Sequence, residues 1–163
     1  MPNWIKGTLK VRGPYEAVKK FFCEGAILYQ TKVNDNGLDY EIVPKEKWLV
    51  VEELDDSTEL NILDEPHIDG TRRAFLDKQT VYIESEEKGQ GYACAEISQA
   101  WKFCEENWVK LSQKYGVDFR LYGFESGCQF CQELEVIGGK ITFNNEIIYD
   151  DWDWECPFPR LGG

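Results

Sequence analysis

The chain has 163 residues, and its 18 Lys and Arg against 30 Asp and Glu give a formal net charge of −12. A hydrophobic content of 42% with 14% aromatic residues excludes a disordered acidic tail, and the length suits one domain that folds without a metal or a disulfide. Because the negative charge repels phosphate backbones and anionic lipids, it argues against direct binding to duplex nucleic acid or to a membrane surface.

The N-terminus and the lack of a long apolar stretch predict a cytoplasmic protein. Residues 1–6 lack a signal peptide's features, and no apolar stretch reaches the roughly 18 residues of a membrane span. In a reducing cytoplasm we expect the six cysteines to be free thiols. Cys128 and Cys131 have the spacing of a metal or redox motif, but no second pair of ligands accompanies them. We therefore predict no zinc, no disulfide between these two residues, and no cofactor.

The first two elements are predicted to be a strand and a helix. Apolar and polar residues alternate from Ile5 to Val11, which is the period of a half-buried strand. Gly13 and Pro14 end that strand, and apolar residues at helical spacing predict a helix over residues 14–24 that ends at Gly25.

The next segment, about residues 26–69, is predicted to be an insertion. It contains a hairpin between residues 27–33 and 38–43, joined by the turn Asn34-Asp35-Asn36-Gly37. From Glu52 to Asp69 it carries eight acidic residues and no Lys or Arg. Such a run is typical of a solvated face, and the alternative is a surface for a basic partner or a cation.

The second half of the chain predicts two more hairpins and a second helix. One hairpin joins residues 79–86 to 91–97, and another joins 130–137 to 140–144 around two glycines. Between them, a helix is predicted over residues 99–115 with Ser98 as its N-cap, and a strand follows over residues 117–122. The helix's apolar face includes Trp101 and Trp108, which we expect in the core. An acidic, aromatic segment, residues 146–163, ends the chain.

The order of these elements predicts an α+β fold in one domain, residues 1–163. The order strand, helix, inserted hairpin, two strands, helix, strand is a ferredoxin-like split βαβ arrangement. In that arrangement an antiparallel sheet carries two helices on one face, and the inserted β-hairpin lies beside it.

Five short stretches of the chain resemble the YubB-type ferredoxin-like family of phage and plasmid proteins. They are Met1-Pro2-Asn3-Trp4 with Val11-Arg12-Gly13, Asp39-Tyr40-Glu41-Ile42-Val43-Pro44, Gly70-Thr71-Arg72-Arg73, Gln99-Ala100-Trp101 and Glu125-Ser126-Gly127-Cys128-Gln129-Phe130. The resemblance implies the ferredoxin-like fold and an origin in a mobile element, and it implies no catalytic residue.

The residues themselves give little support to an enzyme. Catalysis by proton transfer or by a nucleophile most often recruits histidine, and His67 stands alone next to a proline inside the acidic run. We therefore predict no catalytic residue and no metal ligand. A carboxylate-metal nuclease or another enzyme remains an alternative, although no spacing among the 30 acids singles out a ligand set.

The leading hypothesis is a non-catalytic phage or mobile-element protein that neutralises a host component, as an anti-defence inhibitor with an acidic surface. The predicted partner is a basic protein, bound by Asp150, Asp151, Trp152, Asp153, Trp154 and Glu155. The alternative is a protein that sequesters a nucleotide immune signal in an aromatic and arginine pocket. The residues of that alternative site are Arg72, Arg73, Trp101, Tyr122 and Glu125.

Overall fold

The computed structural model describes residues 2–33, 37 and 40–163. In this part of the chain, eleven strands form one antiparallel sheet and two further strands form a separate hairpin. The strands are β1 (Trp4–Pro14), β2 (Ala26–Ile27), β3 (Tyr29–Val33), β4 (Tyr40–Pro44), β5 (Leu49–Glu53), β6 (Ser57–Ile62), β7 (His67–Ile68), β8 (Ala74–Leu76), β9 (Gln79–Ser85), β10 (Gln90–Ala100), β11 (Asp118–Glu125), β12 (Phe130–Ile137) and β13 (Lys140–Ile148). The helices are α1 (Tyr15–Glu24), α2 (Glu105–Tyr115) and the short α3 (Trp152–Glu155).

The large sheet divides into two branches at β10. Its undivided part has the order β13-β12-β11-β1-β10. The start of β10 pairs with β9, which leads to β6 and β5, whereas the end of β10 pairs with β8, which leads to β7 and β2. The branching is possible because β10 is eleven residues long, so its two ends accept different neighbours.

The main core lies between one face of the sheet and helices α1 and α2. Ile5, Leu9 and Val11 point to this face from β1 and are fully buried. The ring of Phe119 in β11 lies 5.0 Å from Phe21 of α1 and 5.2 Å from Trp108 of α2, measured between centroids. The two helices therefore pack on the same side of the sheet, and the prediction that Trp108 is buried is confirmed.

The opposite face of the sheet is partly covered by the C-terminal segment. There Trp152 and Cys156 pack against Phe124 of β11 and Cys131 of β12 in a second, smaller cluster. We call the side away from α1 and α2 the open face.

No helix among the described residues is long and apolar enough to cross a membrane.

The predicted ferredoxin-like α+β fold with two helices is wrong. Strands account for 52% of the described residues and helices, including a 3-10 turn over Glu87–Gly89, for 18%, and the sheet is far larger than that fold requires. Residues in and just after the predicted insertion form β5, β6, β7 and β8, which join the large sheet instead of forming one side hairpin. For β6 the reason is that its outward residues belong to the acidic run, which predicted a solvated face, although buried Thr58, Leu60 and Ile62 alternate with them.

The predicted second helix begins six residues later than its apolar spacing indicates. Gln99 and Ala100 continue β10, because they pair with Ile5 and Trp4 of β1. Ser98 also lies in β10 and is not a cap. Trp101 follows the strand with a φ of 70° and is 50% exposed, so its predicted place in the core is wrong.

The three predicted hairpins are confirmed. β3 pairs with β4, β9 with β10 and β12 with β13, each in antiparallel register. Of the turn proposed for the first hairpin, residues 34–36 lie outside the described residues. The predicted first helix is also confirmed, as α1, and the predicted strand after α2 is β11.

Candidate functional site

A groove crosses the open face of the sheet between β8 and the C-terminal segment. It consists of two adjoining lobes of about 410 and 300 Å³, which share Lys6 and Asp77. Each lobe is within the size range of small-ligand pockets. We call them the Trp4 lobe, lined by Trp4, Lys6, Glu65, Arg73, Phe75, Asp77 and Ser98, and the Tyr122 lobe, lined by Lys6, Gly7, Thr8, Asp77, Glu96, Tyr122, Phe124, Phe158 and Leu161.

Strand register brings these side chains to one face. Successive residues of a strand point to opposite sides, so Trp4, Lys6 and Thr8 leave β1 on the side away from Ile5 and Leu9. Lys6 pairs with Ser98 of β10 on one side and with Phe124 of β11 on the other. Phe75 of β8 pairs with Ser98 in turn, so one row of residues crosses four strands.

Aromatic rings form the outer wall of the Trp4 lobe. The rings of Trp4 and Phe75 meet edge to face, with their centroids 5.9 Å apart. The guanidinium carbon of Arg73 lies 5.4 Å from the centre of the Trp4 ring. The His67 ring lies 5.3 Å from Phe75, so it supports this wall.

Hydrogen bonds fix the floor of the groove. The Ser98 hydroxyl donates to Asp77 Oδ1 at 2.8 Å. The Gln79 side chain clamps the backbone of Glu96: its Oε1 accepts from the Glu96 N–H at 2.6 Å, and its Nε2 donates to the Glu96 carbonyl at 2.8 Å. These contacts use the backbone of Glu96 and leave its exposed carboxylate available to a ligand.

The C-terminal segment forms the wall of the Tyr122 lobe. Phe158 lies against Phe124 with ring centroids 5.2 Å apart. The Gly163 N–H donates to the Trp4 carbonyl at 2.8 Å, which holds the end of the chain beside β1. Burial raises the pKa of Tyr122 to about 12, and its hydroxyl also interacts with Tyr149.

Carboxylates outnumber cations in the lining of this groove. Glu65, Asp77 and Glu96 are acidic, whereas Lys6 and Arg73 are basic. Five aromatic rings accompany them. The groove therefore combines flat apolar faces with a small excess of negative charge, which suits a ligand that carries positive charge.

The structure brings together some of the residues predicted for a ligand pocket. Arg73 lines the Trp4 lobe and Tyr122 lines the Tyr122 lobe. Trp101 is not among the lining residues of either lobe, and its backbone N–H donates to the Asn3 carbonyl at 2.8 Å. Glu125 is buried and accepts the N–H groups of residues 127 and 128, both at 2.7 Å, so it stabilises a turn. Arg72 is not among the lining residues of either lobe, and its backbone N–H donates to Asn107 of α2.

The residues predicted to bind a partner divide between the interior and the surface. Trp152 is only 4% exposed, and its indole N–H donates to the Pro159 carbonyl at 2.9 Å. Trp154 is 86% exposed, which is the highest exposure among the large hydrophobic residues described. Trp154 therefore remains available to a partner, whereas Trp152 holds the segment onto the sheet.

The carboxylates beside Trp154 also have different surroundings. Asp151 Oδ1 accepts the Trp154 N–H at 3.4 Å, and Glu155 Oε2 accepts the Asp151 N–H at 3.2 Å. Asp153 lies 3.4 Å from Arg160. Asp150 is exposed at the start of the segment. Asp151 and Glu155 thus stabilise the local turn, and Asp150 and Asp153 are the better candidates for a partner.

Most of the acidic run lies far from the C-terminal segment. Glu52 and Glu59 are opposite each other on β5 and β6, and strands β9, β10 and β1 separate them from β11. Glu53 and Asp64 form ion pairs with Lys19 and Lys45. Only Glu65 of this run contributes to the lining of the groove.

The cysteines and carboxylates do not form a recognisable metal centre. Cys128 is exposed and accepts a hydrogen bond from Asn3 Nδ2 at 3.4 Å, whereas Cys131 is buried against the C-terminal segment. Burial, with the nearby Cys156, raises the pKa of the Cys131 thiol to about 12. Within residues 2–33, 37 and 40–163, no three His, Cys, Asp or Glu side chains are grouped to hold a metal ion.

Several groove residues were missed at the sequence level. Lys6 and Thr8 belong to the polar side of the predicted first strand, which was recognisable as basic but not as part of a groove. Phe75, Asp77 and Glu96 had no distinguishing local pattern, because only the pairing of β8 and β10 brings them to Lys6.

No model of a known family, no curated protein and no solved structure matches this chain.

Proposed function

We propose that this chain is a non-catalytic accessory protein of phage or mobile-element origin that binds and neutralises a basic host protein, a component of a defence system. The supporting observation is the groove, in which Glu65, Asp77 and Glu96 lie among aromatic rings on the open face. The proposed origin depends on the resemblance to the YubB-type family.

The charge and the rings have separate roles in this proposal. A net charge of −12 attracts a basic partner and raises its association rate, most strongly at low salt. Aromatic faces stack on cationic side chains and slow dissociation. The exposed Trp154 belongs to the segment that forms one wall of the groove and offers a further aromatic contact.

A nucleotide is the second candidate ligand. Lys6 and Arg73 provide two cations for a phosphate, and the rings provide faces for a base. The carboxylates of Asp77 and Glu96 repel a phosphate at the same place, so a basic segment of a protein fits the lining better.

The direct test is a titration of the chain with a short arginine-rich peptide and, separately, with ATP, followed by tryptophan fluorescence. We expect the peptide to bind and its affinity to fall as salt rises. Binding of ATP without binding of the peptide would contradict a basic protein as the ligand and support a nucleotide.

Two matched variants locate the binding surface in that titration. Glu96→Gln removes a groove carboxylate whose side chain has no structural partner among the described residues. Glu84→Gln removes an exposed carboxylate from the neighbouring strand β9, outside the groove. Only Glu96→Gln is expected to weaken peptide binding.

A further inference from the structure

The backbone around Arg73 is held in an unusual conformation. Arg73 has a φ of 56°, in the left-handed region that residues other than glycine seldom adopt. Hydrogen bonds on either side maintain it: the Ala100 N–H donates to the Arg73 carbonyl at 3.1 Å, and the Arg72 N–H donates to Asn107 Oδ1 at 2.9 Å. The end of β10 and α2 together hold this backbone, and the side chain extends over Trp4.

The guanidinium of Arg73 contacts an aromatic ring without an acidic partner. It lies 5.4 Å from the centre of the Trp4 ring, and none of the described carboxylates is within ion-pair distance of it. The side chain is exposed. A cation–π contact at an exposed site is weak, so another cation can replace it.

The same lobe contains the other groups that recognise a guanidinium. Glu65 and Asp77 line it together with Trp4 and Phe75. A flat aromatic face with carboxylates at its edge matches arginine, because guanidinium is planar, weakly hydrated and able to donate several hydrogen bonds. In the free protein, Arg73 itself covers this face.

We propose that the Trp4 lobe is a binding site for an arginine side chain of the partner, and that Arg73 is an intramolecular competitor for it. The inference rests on the proposed function, since it assigns a basic ligand to the same groove. The partner's arginine stacks on Trp4, displaces the Arg73 guanidinium and reaches the carboxylates of Glu65 and Asp77.

This proposal predicts that the loss of Arg73 raises the affinity for the ligand, whereas the loss of a residue that lines a binding site usually lowers it. Removing a cation that competes for the Trp4 ring makes an arginine ligand bind more tightly. If the lobe instead held a phosphate, Arg73 would be a ligand-binding residue, and its loss would weaken binding.

The test uses Arg73→Asn in the full chain, because asparagine tolerates the left-handed backbone. The matched control is Lys10→Asn, which removes one positive charge from the exposed side of β1 outside the groove. The probes are a short peptide with one arginine and the same peptide with citrulline, which keeps the shape and loses the charge. Fluorescence titration gives both affinities.

We expect Arg73→Asn to bind the arginine peptide about two- to fivefold more tightly than the parent chain, the factor that an exposed cation–π contact implies. Affinity for the citrulline peptide should not rise, and Lys10→Asn should match the parent. Arg73→Lys, which keeps the charge without the planar group, should fall between the parent and Arg73→Asn.

Three results would contradict the proposal. If the parent binds the arginine peptide and Arg73→Asn binds it equally or more weakly, Arg73 is not a competitor, and the proposed function still stands. An equal gain of affinity for the citrulline peptide would show that the lobe does not recognise the charge. If neither the parent nor Arg73→Asn binds the single-arginine peptide while the parent binds the arginine-rich peptide, this inference fails and the proposed function stands; if the parent binds neither peptide, both fail.

Discussion

Trp152 and Trp154 differ in role because two residues along a helical turn rotate the side chain by about 200°. One indole therefore packs on β11 and β12, while the other faces solvent. We predict that Trp152→Ala lowers the free energy of unfolding by about 3–5 kcal/mol and that Trp154→Ala changes it by less than about 0.5 kcal/mol. Urea denaturation of both variants measures this, and equal losses would contradict the assignment.

Trp154 has a second, functional prediction. If it contacts the partner, Trp154→Ala should accelerate dissociation of a bound arginine-rich peptide, measured by stopped-flow, without a large effect on association. The charge control is Asp150→Asn with Asp153→Asn, which spares the capping Asp151 and should slow association mainly at low salt. Unchanged kinetics in both variants would exclude the C-terminal segment from the contact surface.

Glu125 illustrates a buried carboxylate with a structural role. It accepts two backbone N–H groups, from Gly127 and Cys128, in the turn between β11 and β12. We predict that Glu125→Gln lowers the free energy of unfolding by about 2 kcal/mol, because hydrogen bonds to a charged acceptor are the stronger ones. Thermal denaturation tests this against Glu146→Gln, an exposed change on β13 that should be near neutral.

Glu135 gives the stability a defined dependence on pH. Hydrogen bonds from Thr142 and Arg120 hold the pKa of its carboxyl below the ordinary 4.5. Because the pKa of Glu135 is lower in the folded state, its ionised carboxylate stabilises the fold above pH 4.5. This stabilisation is lost as the pH falls through the folded-state pKa. Glu135→Gln should therefore lower the melting temperature at neutral pH and have a smaller effect once the pH lies below the folded-state pKa of Glu135. A difference that stays constant with pH would contradict this.

At the scale of elements, the end of α2 depends on one glycine. Gly116 has a φ of 68°, and a Cβ there would meet no atom within 4 Å, so a substitution costs backbone strain alone. We predict that Gly116→Ala lowers the free energy of unfolding by about 1 kcal/mol and Gly116→Asn by less. Chemical denaturation distinguishes the two, and a larger loss for asparagine would contradict the explanation.

The elements also show how far local sequence determines structure here. Alternation in β1 and helical spacing in α1 were sufficient, because each pattern persists over several residues without interruption. The start of α2 was not predictable, since the spacing of Trp101 and Trp108 suits a helix while pairing with β1 keeps residues 99 and 100 in a strand. Tertiary pairing overrode the local preference.

Across the whole molecule, the groove could not be predicted because it has no sequence-local origin. Lys6, Phe75, Glu96 and Phe158 come from four separate parts of the chain and meet only through strand register and the return of the C-terminal segment. The sequence did identify Arg73 and Tyr122 as candidate ligand residues from their chemistry. It could not separate them from Glu125, whose burial in a turn depends on the folded structure.

The acidic residues lie in separate regions of the molecule, so a binding measurement can compare the effect of neutralising one region with the effect of neutralising another. Glu52 and Asp55 lie at or beside the outer strand β5, whereas Glu65 and Glu96 line the groove. All four side chains are exposed, so neutralising either pair removes two negative charges without emptying the core. The two double variants therefore have the same net charge and differ only in where it has changed.

The central claim, that a basic partner binds in the groove, is tested most directly by calorimetric titration of an arginine-rich peptide into these two variants. We predict that Glu65→Gln with Glu96→Gln weakens binding about tenfold, as the loss of roughly 1.4 kcal/mol of charge attraction implies. Glu52→Gln with Asp55→Asn should bind like the parent chain. Equal weakening in both variants, or weakening only in the β5 variant, would contradict the account.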